Sequence, residues 1–154
     1  MVSRGLPPIL LGLLAFFVAF GGIAADFRVT DTQGMTHTLA ANKGKWVLVN
    51  FWATWCPPCL EEIPDFIDLY NERKNKDLMI IGVAVDYDDA KQVSAFAKKL
   101  NVSYPVVMGD DDNTQQFGKV SALPVSLLYD PKGKQALRRV GPLTRAEIEK
   151  LIGK

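Results

Sequence analysis

Histidine is almost missing from this chain and cysteine is scarce: His37 stands alone, and Cys56 and Cys59 are the only thiols in 154 residues. That shortage excludes a structural zinc site, which needs four protein ligands. Leu60 follows Cys59 where a covalent c-type haem site needs histidine, so that is excluded too. Surplus charge is also lacking. Lys and Arg number 18 against 17 Asp and Glu, mixed along the chain, so no basic face is available to track a phosphate backbone and nucleic acid binding is not expected. Internal repeats are absent. The densest acidic run, Asp110-Asp111-Asp112, lacks the spaced carboxylates, glycine and terminal glutamate of a calcium loop and reads as a solvated turn.

What is present begins with a leader. Between Arg4 and Asp26 no charge occurs, and Leu, Ile, Phe, Val and Ala dominate. Residues 1–25 therefore read as an export signal or, since the uncharged run of about 20 residues is long enough to span a bilayer, as an N-terminal membrane anchor. Gly22, Ala24 and Ala25 suit cleavage after Ala24 or Ala25. A buried core helix is disfavoured, because Pro7-Pro8 and Gly21-Gly22 bracket the run and it shows no polar face. Residues 26–154 are left as one globular domain, with 17 basic and 17 acidic residues. Export places this domain in the periplasm or otherwise outside the cytoplasm, where disulfides persist. Two cysteines three positions apart then read as a redox pair.

Along the domain, period and punctuation order the elements. Phe27–Val29 and Met35–Leu39 flank Asp31-Thr32-Gln33-Gly34 and suggest a short hairpin. Trp46–Trp52 is an apolar run suited to a buried strand, and Ile63, Phe66, Ile67 and Tyr70 then fall at i, i+3, i+4 and i+7 of an amphipathic helix. Leu78–Val85 predicts a second central strand. Val93, Phe96, Ala97 and Leu100 repeat the helical spacing. A short strand at 106–108, a brief helix reaching about Phe117, a hairpin of Val125–Tyr129 and Gln135–Val140 around Asp130-Pro131-Lys132-Gly133, and a last helix capped by Thr144 and Glu147 complete the pattern. Strands alternating with helices, then a closing hairpin and helix, predict an α/β fold with a mixed sheet covered on both faces.

The chemistry concentrates at Cys56-Pro57-Pro58-Cys59, where a buried strand hands over to a helix. A cysteine at a helix start faces unpaired backbone N–H groups and the positive end of the dipole, which favour thiolate over thiol. Cys56 is the expected nucleophile. Cys59, one turn on, is expected to point inward and attack the mixed disulfide formed between Cys56 and a substrate. Pro57 and Pro58 are tolerated in a first helical turn because the N–H each lacks would have no helical partner there. They also withdraw two donors from the Cys56 sulfur, and no histidine lies between the cysteines. A strongly oxidising pair needs its reduced form stabilised, so this pair points toward a reductant.

The stretch from Val49 to Pro64, Val-Asn-Phe-Trp-Ala-Thr-Trp-Cys-Pro-Pro-Cys-Leu-Glu-Glu-Ile-Pro, resembles the TlpA/ResA-like branch of the thioredoxin superfamily. Leu123-Pro124 before a strand, Asp130-Pro131-Lys132-Gly133 in a hairpin and Gly141-Pro142-Leu143-Thr144 before the last helix agree with it. The resemblance covers nearly all of residues 27–152. It implies a thioredoxin fold, here with an N-terminal hairpin and a central β-α insertion. It further implies an extracytoplasmic reductase of protein disulfides, monomeric, often serving cytochrome c maturation or other cysteine-containing metalloproteins, recharged by a membrane thiol-reductant donor, and needing no cofactor or metal beyond its own disulfide. On the same basis Pro124 follows a cis peptide bond and lies against the dithiol, with a substrate strand pairing beside it. Trp55, Pro57, Pro58 and Leu123 complete the expected contact surface. Glu62 matches the third position after Cys59 in the C-x-x-C-x-x-E pattern, where a carboxylate tunes the thiols or relays a proton; an acid favoured near a helix N-terminus is the alternative. Asn50 departs from cytosolic thioredoxin, which carries a buried acid there. Glu61 reads as solvated, Trp52 and Pro64 as structural, and His37 as a surface residue.

Rival readings use the same residues. A disulfide oxidant reverses the electron flow. A peroxidase on this fold needs P-x-x-x-T-x-x-C, whereas Val49 and Ala53 hold the proline and threonine places. A non-enzymatic module would bind copper through the two thiolates.

Overall fold

The computed structural model describes residues 26–153; the leader assigned to residues 1–25 lies outside them. Strands β1 (Arg28–Thr30) and β2 (Thr36–Thr38) form the short hairpin, one residue displaced from the pattern-based limits. The sheet is built from β3 (Trp46–Trp52), β4 (Leu78–Ala84), β5 (Val106–Met108), β6 (Val125–Tyr129) and β7 (Gln135–Val140). Their order is β5-β4-β3-β6-β7, with β3, β4 and β5 parallel and β6 and β7 each antiparallel to its neighbour. The helices are α1 (Pro57–Arg73), α2 (Ala90–Lys99), α3 (Asp111–Thr114) and α4 (Arg145–Ile152), with 3-10 turns at Ala40–Asn42 and Gln115–Phe117. This is the expected mixed sheet with an N-terminal hairpin and an inserted β-α segment.

Strand β3 sits in the middle and is buried on both sides, which is why its sequence is apolar without alternation. Val47, Val49 and Phe51 point to one face, where Phe27 and Val29 of the hairpin and Phe117 close a cluster. Phe117 lies 5.1 Å from Phe27 and 5.4 Å from Phe51, ring centre to ring centre. Leu48 and Trp52 point to the other face, under α1, α2 and α4. Three of the four helices thus share one face, and the hairpin and the 3-10 turn carrying Phe117 cover the other.

Three sequence expectations shift. The buried face of α1 is Cys59, Glu62, Ile63, Phe66 and Leu69, while Ile67 and Tyr70 lie on its flank, partly buried. The apolar period misplaces the stripe because its centre includes a buried carboxylate. His37 is not a free surface residue: its Nε2 lies 2.8 Å from the Asp31 carboxylate and its side chain is 15% exposed. The same carboxylate accepts the backbone N–H groups of Gln33 and Met35, so the pair fastens the turn between β1 and β2. Likewise Asp110 is more than a solvated turn residue, since it caps α3 in a reciprocal box with Asn113.

Candidate active site

β3 ends at Trp52, and the chain turns through Ala53-Thr54-Trp55 into α1. Cys56 is the residue capping that helix, with extended backbone angles (φ −96°, ψ 100°). Its N–H donates to the Ala53 carbonyl at 3.2 Å, and its carbonyl accepts the first helical bond from Leu60 N–H at 3.1 Å. Pro57 and Pro58 supply no donors in this turn, so the Cys59 N–H is the one first-turn donor left without a helical acceptor.

Cys56 and Cys59 are joined in a disulfide with their Cα atoms 5.3 Å apart. The sequence position of Cys56 suggests an exposed sulfur. In the bonded pair Cys56 is only 3% exposed and Cys59 fully buried. Both pack in a cluster with Trp52, Ala53, Ile63, Ala84, Val93, Ala97 and Val106.

Leu123 packs against the same cluster. The Leu123-Pro124 bond is cis, Pro124 is buried, and its carbonyl accepts Gly141 N–H at 2.8 Å. Pro57 is exposed and Pro58 half-buried in the first turn of α1. Trp55 stands on the rim, 58% exposed, with its indole Nε1–H donating to the Asp86 carbonyl at 3.0 Å.

Glu62, one helical turn beyond Cys59, is 5% exposed. One carboxylate oxygen accepts from Asn50 Nδ2 at 2.7 Å and the other from the Leu143 N–H at 2.9 Å. Burial raises its pKa from 4.5 to about 7, against the opposing pull of those two hydrogen bonds. Its acid form is therefore well populated near neutral pH. Asn50 also donates to Ser126 Oγ at 3.1 Å, joining β3, β6, α1 and the segment before α4 through buried polar groups.

The sequence marks Asn50 only as a departure from cytosolic thioredoxin, names Leu143 only within the segment before the last helix, and gives no sign of Ser126. The signal for Asn50 was present: a lone amide inside the apolar run Trp46–Trp52 needs a buried partner. Leu143 contributes a backbone N–H, which no side-chain pattern reveals. Among the described residues no group of three or more His, Cys, Asp or Glu side chains is placed to hold a metal ion.

Fold and site together define a thioredoxin-fold thiol-disulfide oxidoreductase with a C-x-x-C pair. Residues 20–138 match the model of the AhpC/TSA family. The thiol-disulfide oxidoreductase ResA of Geobacillus kaustophilus (strain HTA426) is 35% identical over 133 residues, covering 86% of this chain and 76% of that protein. ResA of Bacillus subtilis (strain 168) is 36% identical over 132 residues, covering 85% and 73%. In structure, a thiol:disulfide interchange protein of the thioredoxin family from Chlorobium tepidum TLS superposes with a TM-score of 0.75 at 30% identity, over 82% of this chain and 90% of that one. The chain belongs to the AhpC/TSA family, and within it to the ResA-like thiol-disulfide oxidoreductases.

Proposed function

We propose that this protein works outside the cytoplasm as a reductase of protein disulfides, serving cytochrome c maturation or the assembly of another cysteine-containing metalloprotein. The observation that carries the reading is a disulfide at the capping position of α1, with a cis proline loop on one side and a buried, readily protonated carboxyl behind it. In the working cycle the reduced Cys56 thiolate attacks one client sulfur. A Cys56–client disulfide forms as the client bond breaks, and the second client sulfur leaves as a thiolate that takes a proton from water. Cys59 then loses its proton toward Glu62 and attacks the Cys56 sulfur. The Cys56–Cys59 bond forms and the first client sulfur departs, so two electrons have passed from protein to client.

The client strand is read as lying against Trp55, Pro57 and Pro58 and pairing at Leu123, since the Pro124 carbonyl already accepts Gly141. A membrane thiol donor closes the cycle by reducing Cys56–Cys59. The direction rests on Pro57 and Pro58: with two first-turn donors removed, the Cys56 thiolate lacks the support that makes a pair strongly oxidising. The extracytoplasmic setting rests on the apolar leader and the disulfide together.

The test is capture in the native cell. Cys56→Ser is expected to abolish disulfide exchange, and Cys59→Ala to accumulate a mixed disulfide with the client. Unchanged turnover in Cys59→Ala overturns the two-thiol cycle. A potential of the Cys56–Cys59 couple in the range of strong oxidants, about −120 mV, overturns the direction.

A further inference from the structure

Three buried polar side chains, Asn50 on β3, Ser126 on β6 and Glu62 on α1, meet on the helix-covered face of the sheet. The Asn50 amide divides its Nδ2 between two acceptors, Glu62 Oε1 at 2.7 Å and Ser126 Oγ at 3.1 Å. Its Oδ1 is buried too and accepts no hydrogen bond. An amide that spends its donors and leaves its acceptor idle suits an ionised carboxyl, which only accepts.

A protonated carboxyl asks for the reverse. Glu62 Oε2 accepts the Leu143 backbone N–H at 2.9 Å, a donor that cannot turn, so a proton taken up by Glu62 goes to Oε1 and faces Asn50. Against Nδ2 that proton meets another donor; against Oδ1 it meets an acceptor. The last torsion of asparagine is broad and roughly two-fold, so the side chain keeps its place while its two ends swap. The swap breaks no hydrogen bond at Oδ1 and brings it to the Glu62 proton and to the Ser126 hydroxyl, which donates as readily as it accepts. Two hydrogen bonds are made in either orientation.

The other titratable side chains near Glu62 are Cys59 one turn before it, Glu61 and Asp65, which line with it a cleft of about 150 Å³ beside Pro142, and Tyr104, whose hydroxyl is pushed up by burial and by the Glu62 charge. No lysine, arginine or histidine lines that cleft. The donors to the Glu62 carboxylate are thus the Asn50 amide and the Leu143 N–H.

We propose that Asn50 is a proton-linked switch and a positioning residue for the step at Cys59: its amide presents Nδ2–H to an ionised Glu62 and turns to present Oδ1 when Glu62 is protonated. The inference rests on the exchange reading above, in which the Cys59 proton passes to Glu62 and from there to water. With a partner held against the carboxyl in both states, the proton arrives and leaves without stranding that buried group.

The test follows the Asn50 side-chain amide by NMR through the Glu62 titration, on oxidised protein labelled with nitrogen-15 and carbon-13. At about pH 9, where Glu62 is ionised, NOEs from the Asn50 Nδ2 protons to Ser126 Hβ and Glu62 Hγ are expected. Toward about pH 5 they are expected to lose most of their intensity, with the same midpoint as the Glu62 carboxyl carbon. Glu62→Gln imitates the protonated pattern, since its carbonyl takes the Leu143 N–H and its NH2 faces Asn50, so the turned orientation is expected at both ends of the titration. Asn50→Leu, close in volume but unable to donate or accept, is expected to slow resolution of the Cys56 mixed disulfide about tenfold. NOEs that do not change with pH, or that persist in Glu62→Gln, overturn the switch and leave the exchange reading standing. Resolution at the wild-type rate in Asn50→Leu overturns its positioning role. A reduced protein that fails to react with hydroxyethyl disulfide overturns the exchange reading, and the role of Asn50 with it.

Discussion

Glu62 concentrates the residue-scale chemistry of the molecule. A carboxyl at about 7 in the folded protein and 4.5 as its ordinary value makes the folded chain bind more protons than the unfolded chain between those limits. Stability from this group is therefore complete below about pH 4.5 and lost as pH rises through about 7. Glu62→Gln keeps the shape without the proton, so the fall in unfolding free energy read from urea titrations between about pH 5 and about pH 8, on the order of 3 kcal/mol for this group, is expected to vanish in the variant. A wild-type midpoint that rises over that range contradicts the assignment. The same variant is expected to slow resolution of the Cys56 mixed disulfide about tenfold or more, read by quenched-flow gels. None of this environment was visible from composition. The sequence showed an acid three places after a cysteine, and only the fold shows Asn50 and Leu143 closing over it.

At the scale of elements, α1 does two jobs: it presents Cys56 at its tip and buries Phe66 and Leu69 lower down. Phe66→Ala is expected to cost about 3–5 kcal/mol by leaving a cavity against Leu48 and Leu128, measured by chemical denaturation. Thr144→Ala removes the box in which Thr144 and Glu147 cap α4, for an expected loss of about 1 kcal/mol. Elements were the part most readable in advance, because Trp46–Trp52, Val106–Met108, Val125–Tyr129 and Gln135–Val140 are bounded by clear period and turn residues. The buried face of α1 was not, since hydrophobic periodicity has no means of placing a carboxylate at the centre of a core stripe. His37 escaped for a related reason: its partner Asp31 sits across a turn, and a pairing that distant leaves no periodic trace.

For the whole molecule, the clusters on the two faces of the sheet close within residues 26–153. A chain starting at Asp26 is expected to unfold in one cooperative thermal transition and to retain disulfide exchange; a broad, non-cooperative transition contradicts that closure. The C-terminal ends of parallel β3 and β4 lie beside the start of antiparallel β6, so the tip of α1, the segment at Asp86 and the Leu123-Pro124 loop meet at one end of the sheet, and this convergence makes a site of residues spread from Cys56 to Pro124. The most direct test is a short pulse of iodoacetamide on the reduced protein near pH 7, with each cysteine read by mass spectrometry. The account predicts that Cys56 is modified at least about tenfold faster than the buried Cys59. Equal labelling of the two, or a Cys56 that stays unreactive once reduced, contradicts it.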